Sequence, residues 1–242
     1  AGYENFGYSV SISGEYAVIG ANVDDKDANG LNPINDAGSA YIFKKEKDGK
    51  WKQVQKIVAS DREAGDNFGW SVTISRSHIV VGAPYHDRDL AGANSGPSSG
   101  AAYIFERNES GNRIQTQKII ATPLEGQILF GHSVAVDGNS IAVGSPSYAK
   151  DETGSGASNI NGAGAVFVFD KIGGNWVQTK MLLSRERGIN NIGDGLGNSV
   201  SICGNLVVAG ASGVDFDANG GNRMDASGAA FIFERSGCNW TQ

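Results

Sequence analysis

The sequence predicts an all-β fold, a β-propeller built of four-stranded antiparallel blades, with four blades in this chain. Three observations carry that prediction. The chain repeats itself four times in phase. Each copy consists of short runs rich in β-branched and aromatic residues, bounded by Gly, Asn, Asp or Ser, which is the pattern of strands joined by hairpins. No stretch sustains a 3.6-residue apolar period, so no helix is expected. A lone four-stranded meander leaves both faces bare, and stacking such sheets radially covers them. A β-helix would need a much shorter period and would lack the paired hairpins.

Each unit reads strand by strand. The first strand starts from Phe6-Gly7, Phe68-Gly69, Phe130-Gly131 or Leu196-Gly197, at spacings of 62, 62 and 66. It continues as Ser9 to Ile12, Ser71 to Ile74, Ser133 to Val136 and Ser199 to Ile202, and ends in a tight turn such as Ser13-Gly14-Glu15 or Asp137-Gly138-Asn139. The second strand runs to Gly20-Ala21-Asn22, Gly82-Ala83-Pro84, Gly144-Ser145-Pro146 and Gly210-Ala211-Ser212. After a long polar loop the third strand carries Tyr41-Ile42-Phe43, Tyr103-Ile104-Phe105, Phe167-Val168-Phe169 and Phe231-Ile232-Phe233. A second hairpin leads to the fourth, Trp51 to Ile57, Ile114 to Ile120, Trp176 to Leu182 and a stub at Trp240. The units fall at about 1–62, 63–124, 125–190 and 191–242, one propeller segment over 1–242.

Composition narrows the function. Gly is 35 of 242 residues but Pro only 5, which excludes collagen, where Gly recurs at every third position beside abundant Pro. A net charge of -6 argues against nucleic acid as a partner, because a basic patch supplies most of that affinity. No apolar run approaches the roughly 20 residues of a membrane helix.

The Phe-Gly and Gly-Ala-Pro landmarks resemble the FG-GAP repeats of integrin alpha subunits, and more closely the short bacterial-type FG-GAP repeats of secreted and surface proteins. The resemblance runs through all four units. It implies a propeller, commonly seven-bladed, used for adhesion or ligand binding rather than chemistry. Integrin repeats hold calcium between the Phe-Gly strand and the Gly-Ala-Pro strand, where this chain has only tight turns such as Ser75 to His78. That metal site is therefore not carried over. Four repeats are also fewer than the usual ring. The chain stops at Gln242, which aligns with Gln53, so a counterpart of Gln55 to Ser60 is absent. A piece of a longer chain is expected; a self-contained four-bladed ring or two chains sharing an eight-bladed ring are the alternatives.

The longest loops join second to third strands: Asn22 to Ala37, Tyr85 to Ser99, Ser147 to Ala163 and Ser212 to Ser227. They share one face of the blades, and long loops on a rigid scaffold are where binding residues concentrate. Asp25-x-Asp27-x-Asn29-Gly30 and Asp215-x-Asp217-x-Asn219-Gly220 start five residues after the strand-two Gly, and Asp87-x-Asp89 starts at the same offset. Oxygen ligands at positions one, three and five with Gly at six match the opening of a calcium loop. Leu31 would add its carbonyl at position seven and Asp36 a carboxylate at twelve, with calcium as cofactor. The same residue types also cap turns in Gly-rich loops, so metal ligation and turn capping are both open.

The residue after each Phe-Gly or Leu-Gly varies: Tyr8, Trp70, His132, Asn198. In register these four stand near the channel mouth on the long-loop face, where they could stack on a sugar and bond its hydroxyls, or pack between blades. Tyr85 and Tyr148, early in two of the loops, are further contact candidates. Neither His78, His86 nor His132 falls in a catalytic motif, so no enzyme is expected. His86 beside Asp87 could add a soft-metal ligand, although a lone loop histidine is usually solvated. Asn108-Glu109-Ser110 and Asn239-Trp240-Thr241 fit the glycosylation acceptor pattern. Cys203 and Cys238 sit in turns at the same end of the fourth blade, two strand spacings of about 4.8 Å apart, and occur as the sole pair. A disulfide needs Cα atoms within about 7 Å, which leaning loops would allow, and would imply an oxidising compartment.

The functional expectation is a non-catalytic extracellular or cell-surface module that presents acidic loops to a protein or glycan ligand. The alternative is a structural block of a filament or coat, partnered by copies of itself or by neighbouring repeats.

Overall fold

The computed structural model describes residues 4–94, 96–150, 162–184, 193–215 and 227–242. Blade one holds β1 (Phe6–Ser13), β2 (Tyr16–Ala21), β3 (Ser39–Lys45) and β4 (Trp51–Ile57). Blade two holds β5 (Ser71–Ser75), β6 (His78–Ala83), β7 (Ala101–Arg107) and β8 (Arg113–Ile119). Blade three holds β9 (Ser133–Asp137), β10 (Ser140–Ser145), β11 (Ala165–Ile172) and β12 (Asn175–Leu182). Blade four holds β13 (Leu196–Cys203), β14 (Leu206–Ala211), β15 (Ala229–Ser236) and β16 (Asn239–Thr241). Every sheet is an antiparallel meander in chain order, and the described residues contain no helix, as the alternating short runs foretell. The first strands of successive blades pack side by side, so β1, β5, β9 and β13 form the inner edge.

The core lies between the blades. Val18, Ala40 and Ile42 of blade one meet Phe68, Val72, Ile74, Ile79, Val81 and Phe105 of blade two. Val80, Ala102 and Ile104 then meet Phe130, Val134, Val136 and Phe169 of blade three, and Ala142, Val166 and Val168 meet Leu196, Ile202, Val207 and Phe233 of blade four. Period-two alternation puts apolar side chains on both faces of each sheet, and each fully buried one contributes roughly 1.5–3 kcal/mol.

Glycine makes the close approach possible. In the turn that opens blade two, Gly69 takes φ +92° and lies against the Ser39 carbonyl of blade one, where a Cβ would collide. Its own carbonyl accepts the Ser9 hydroxyl at 2.8 Å and packs on Gly20. Ser71 and Ser133 repeat the bond to the carbonyls of Gly131 and Gly197 at 2.7 Å. A parallel bridge joins Gly38 to Phe68, Gly100 to Phe130 and Gly164 to Leu196. On the outer strands, Gln55 brackets the backbone of Arg113 at 2.7 and 2.8 Å, and Gln117 brackets Trp176 in the same way.

The expected disulfide is absent. Cys203 and Cys238 are free and exposed. In the register Cys203 pairs with Leu206, which pairs with Glu234, and β15 runs on to Ser236 before its turn. Cys238 is thus displaced both across two strands and along the blade, beyond what a disulfide spans.

Candidate functional site

Each long loop is pinned at its base by one repeated device. The residue four places after the strand-two Gly (Asp24, His86, Tyr148, Val214) is buried. The carbonyl of that residue accepts the N–H of Gly38, Gly100, Gly164 or Gly228 at 2.8–3.0 Å, drawing both loop ends together. This corrects two expectations. Tyr148 is no surface contact but is fully buried, its ring edge-on to Phe167 at 5.5 Å. His86 is not solvated but also fully buried.

Around these anchors lies a polar network that the motifs did not announce. Lys118 Nζ donates to His86 Nε2 at 2.7 Å, to Asp61 Oδ2 at 2.8 Å and to the carbonyls of Arg88 and Asp89 at 3.0 Å. An ammonium only donates, so His86 Nε2 accepts and the ring proton sits on Nδ1, 3.1 Å from Asp66 Oδ1. Burial raises the Asp61 pKa, but the Lys118 bond and charge more than offset it and hold the carboxyl below its usual value. Burial, then Asp61, pushes the Tyr103 phenol far above its ordinary range. Blade one repeats the scheme: Lys56 Nζ reaches Asp24 Oδ2 at 2.8 Å and the Lys26 carbonyl at 2.9 Å, while Ser39 and Tyr41 donate to Asp24 at 2.7 Å. The sequence signal was Lys56 and Lys118 at one register position of the fourth strands.

The Asp-x-Asp regularity has a turn geometry. Asp27 Oδ1 accepts the N–H groups of Asn29 and Leu31 at 2.9 Å, and its Oδ2 accepts the Asn32 amide at 2.7 Å. The Leu31 carbonyl takes the Asp27 N–H at 2.8 Å, and Gly30 N–H bonds back to the Asp27 carbonyl at 3.0 Å, with Gly30 at φ +77°. Asp89 makes the same bonds to Ala91 and Ala93, with Gly92 at φ +80°. Asn108 to Asn112 forms the same backbone turn in the β7–β8 hairpin, and Asn108 Oδ1 likewise accepts the Asn112 N–H. Asp25 Oδ1 holds the Asp36 N–H at 2.8 Å and Asp87 Oδ1 the Ser98 N–H at 2.6 Å, tying each loop's return. The Asp36 carboxylate bonds to Asn35, while its carbonyl takes the N–H and amide of Asn67 in blade two.

Among the described residues no three His, Cys, Asp or Glu are placed to share an ion, and the cation gathering the loop carbonyls is a lysine. Asp215 is buried, whereas Asp217 and Asn219 lie outside the described residues.

The residues after the opening turns do come together. Each turn is closed by an N–H bonded back three residues: Tyr8 to Asn5, Trp70 to Asn67, His132 to Leu129 and Asn198 to Gly195. The Trp70 ring lies 4.8 Å from Tyr8, 5.6 Å from His132 and 5.4 Å from Tyr85. The stack therefore crosses two blade junctions, yet Tyr8 and Asn198 are exposed and Trp70, Tyr85 and His132 only half-buried. Burial pushes the His132 pKa down, with the Asn198 backbone pulling the other way, so the ring is neutral near pH 7. Burial, then the Tyr85 phenol, raises the Tyr8 pKa. The cluster offers flat rings, phenol hydroxyls, an imidazole and an amide on one surface beside the loops.

A family model described as FG-GAP repeat matches residues 1–43, 51–105 and 114–169, more than half of the chain. The fourth blade lies outside these segments and carries Leu196 where the others carry Phe. No curated protein matches the chain. FG-GAP repeats are commonly binding or adhesion modules of extracellular and surface proteins, and the family is generally non-enzymatic. No helix among the described residues is long and apolar enough to cross a membrane, a statement that leaves β-barrel spans aside. With four blades in phase and three segments matched, this chain belongs to the FG-GAP repeat family.

Proposed function

We propose that the chain is a non-catalytic extracellular binding or adhesion module whose protein or glycan ligand contacts Tyr8, Trp70, Tyr85, His132 and Asn198, framed by the acidic long loops. One observation carries this reading. At a single register position the scaffold residues repeat (the turn glycines Gly7, Gly69, Gly131 and Gly197, then Ser9, Ser71, Ser133 and Ser199), while the side chain between them changes from blade to blade. A fixed backbone presenting different groups in a row, still open to solvent, supports recognition better than it supports packing alone. Aromatic rings with polar edges suit a sugar face or a protein hot spot. In this reading Asp25, Asp27, Asp87 and Asp89 shape the loops as turn caps and need no calcium.

A glycan array and a pull-down from extracellular material, run with the wild type and Trp70→Ala side by side, test the proposal. Binding that Trp70→Ala removes supports it. Silence in both assays, or binding indifferent to Trp70, overturns it.

A further inference from the structure

At the end of the strands remote from the aromatic row, an ion pair ties blade two to blade three and blade three to blade four, and the junction of blades one and two lacks it. The third-strand residue that pairs with the start of the second strand is Lys44, Glu106 and Asp170 in blades one to three. One place further along the third strand of the following blade stand Arg107, Lys171 and Arg235. Between blades two and three Glu106 Oε1 meets Lys171 Nζ at 2.6 Å. Between blades three and four Asp170 accepts both arms of Arg235, at 2.9 and 3.0 Å. Between blades one and two Lys44 occupies the carboxylate's position, so the register sets a cation against Arg107.

A third cation joins these two. Lys44 Nζ lies 6.0 Å from the centre of the Tyr16 ring, and the guanidinium carbons of Arg107 and Arg113 each lie 5.8 Å from it. Arg113 is only 5% exposed and donates to the carbonyls of Arg76 and Ser77, which bring no negative charge. Among the described residues no carboxylate stands within ion-pair distance of Lys44, Arg107 or Arg113. Burial, then the Arg107 charge, lowers the Arg113 pKa, with the Tyr16 phenol acting the other way. The ring face offsets part of the repulsion, but like charges withdrawn from water call for a counter-ion. Lys44 is half-buried and Arg107 exposed, so the cluster is open to an anion from solvent.

We propose that the junction of blades one and two is an oxyanion site, in which a phosphate or sulfate group held by Lys44, Arg107 and Arg113 beside Tyr16 takes the place that Glu106 and Asp170 fill at the other junctions. Three cations suit a doubly charged tetrahedral anion better than a single carboxylate. Guanidinium groups match its oxygens with paired N–H donors, and the lysine adds a point charge. A free ion and a group carried on a polymer present the same chemistry. The inference stands apart from the aromatic row, which lies at the other end of the strands.

Calorimetric titration with sodium phosphate and with sodium sulfate tests it, in chloride buffer of matched ionic strength at neutral pH, on the wild type and on Lys44→Glu. This substitution restores the carboxylate of the other junctions, so the variant folds and melts above the wild type in chloride. Both ions also stabilise proteins by exclusion from the surface, and the variant controls for that effect. The wild type gives saturable binding, and Lys44→Glu weakens it by about tenfold or more, since a charge-assisted contact is lost and a repelling carboxylate arrives. A third titration with polyphosphate separates the sources: tighter binding per phosphate than the free ion assigns the polymer, equal binding the ion, and either supports the site. No saturable binding of phosphate or sulfate by the wild type overturns the proposal. So does a Lys44→Glu variant that binds them as well as the wild type.

Discussion

Gly69 and Gly7 adopt nearly the same backbone angle in different surroundings, and that contrast isolates what the opening turn requires. Alanine at Gly7 meets only the cost of a positive φ, about 1–2 kcal/mol. Alanine at Gly69 must also push back the Ser39 carbonyl, so the loss there exceeds about 3 kcal/mol. Urea unfolding midpoints of the two variants measure the difference, and equal losses would contradict the junction. Titration acts at this scale as well. Burial holds the pKa values of His78 and His132 below the usual histidine value of about 6.5. The unfolded chain then binds more protons, so their stabilising contribution is complete above about pH 6.5 and is lost as pH falls through the folded values. Asp24, Asp61 and Asp170 are raised by burial but pulled further down by bonds from Lys56, Lys118 and, for Asp170, from Ser140, Thr179 and Arg235. Their contribution holds above about pH 4 and disappears below it. Thermal melts against pH therefore fall in two steps, and His132→Gln shrinks the upper one; a profile flat from pH 7 to 5 would refute the assignment.

The long loop is the element where sequence pattern and structure diverge most. Asp-x-Asp-x-Asn-Gly supports a metal loop or a capped turn equally well, because both need an oxygen acceptor early and a glycine at positive φ. Bonds from Asp27 and Asp89 to amides two and four residues on favour the turn, and Asn108 builds the same backbone turn in an ordinary hairpin. Asp89→Ala is expected to cost about 0.5–1.5 kcal/mol, the net worth of a lost bond. Melting curves in EDTA and in excess calcium should coincide. A metal held by the folded state would instead add about 2.7 kcal/mol at a hundredfold excess over Kd and would show that the loop rearranges around an ion. The burial of Asp24, His86 and Tyr148 was not legible for a physical reason: a polar or amphipathic residue in a polar loop carries no apolar periodicity, and only its offset from the strand-two glycine marks it. Cys203 and Cys238 misled because shared turn position was read as proximity, while β15 overruns β14 and carries its turn outward.

At the scale of the molecule, the repeat landmarks were sufficient for the blades and their order, since alternation and turn glycines act locally. Tyr8, Trp70 and His132 lie ring beside ring, because equal register in stacked sheets brings equal positions together. What the pattern could not convey was the junction itself, in which serine hydroxyls, glycine carbonyls and glutamine brackets join residues about sixty positions apart. That junction makes the aromatic row a continuous surface. Calorimetric titration with the strongest ligand from the array tests the proposed binding role of this row. Trp70→Ala with an unchanged Tm should weaken Kd at least tenfold, about 1.4 kcal/mol. An affinity equal to that of the wild type would mean that the ligand binds elsewhere than on the aromatic row.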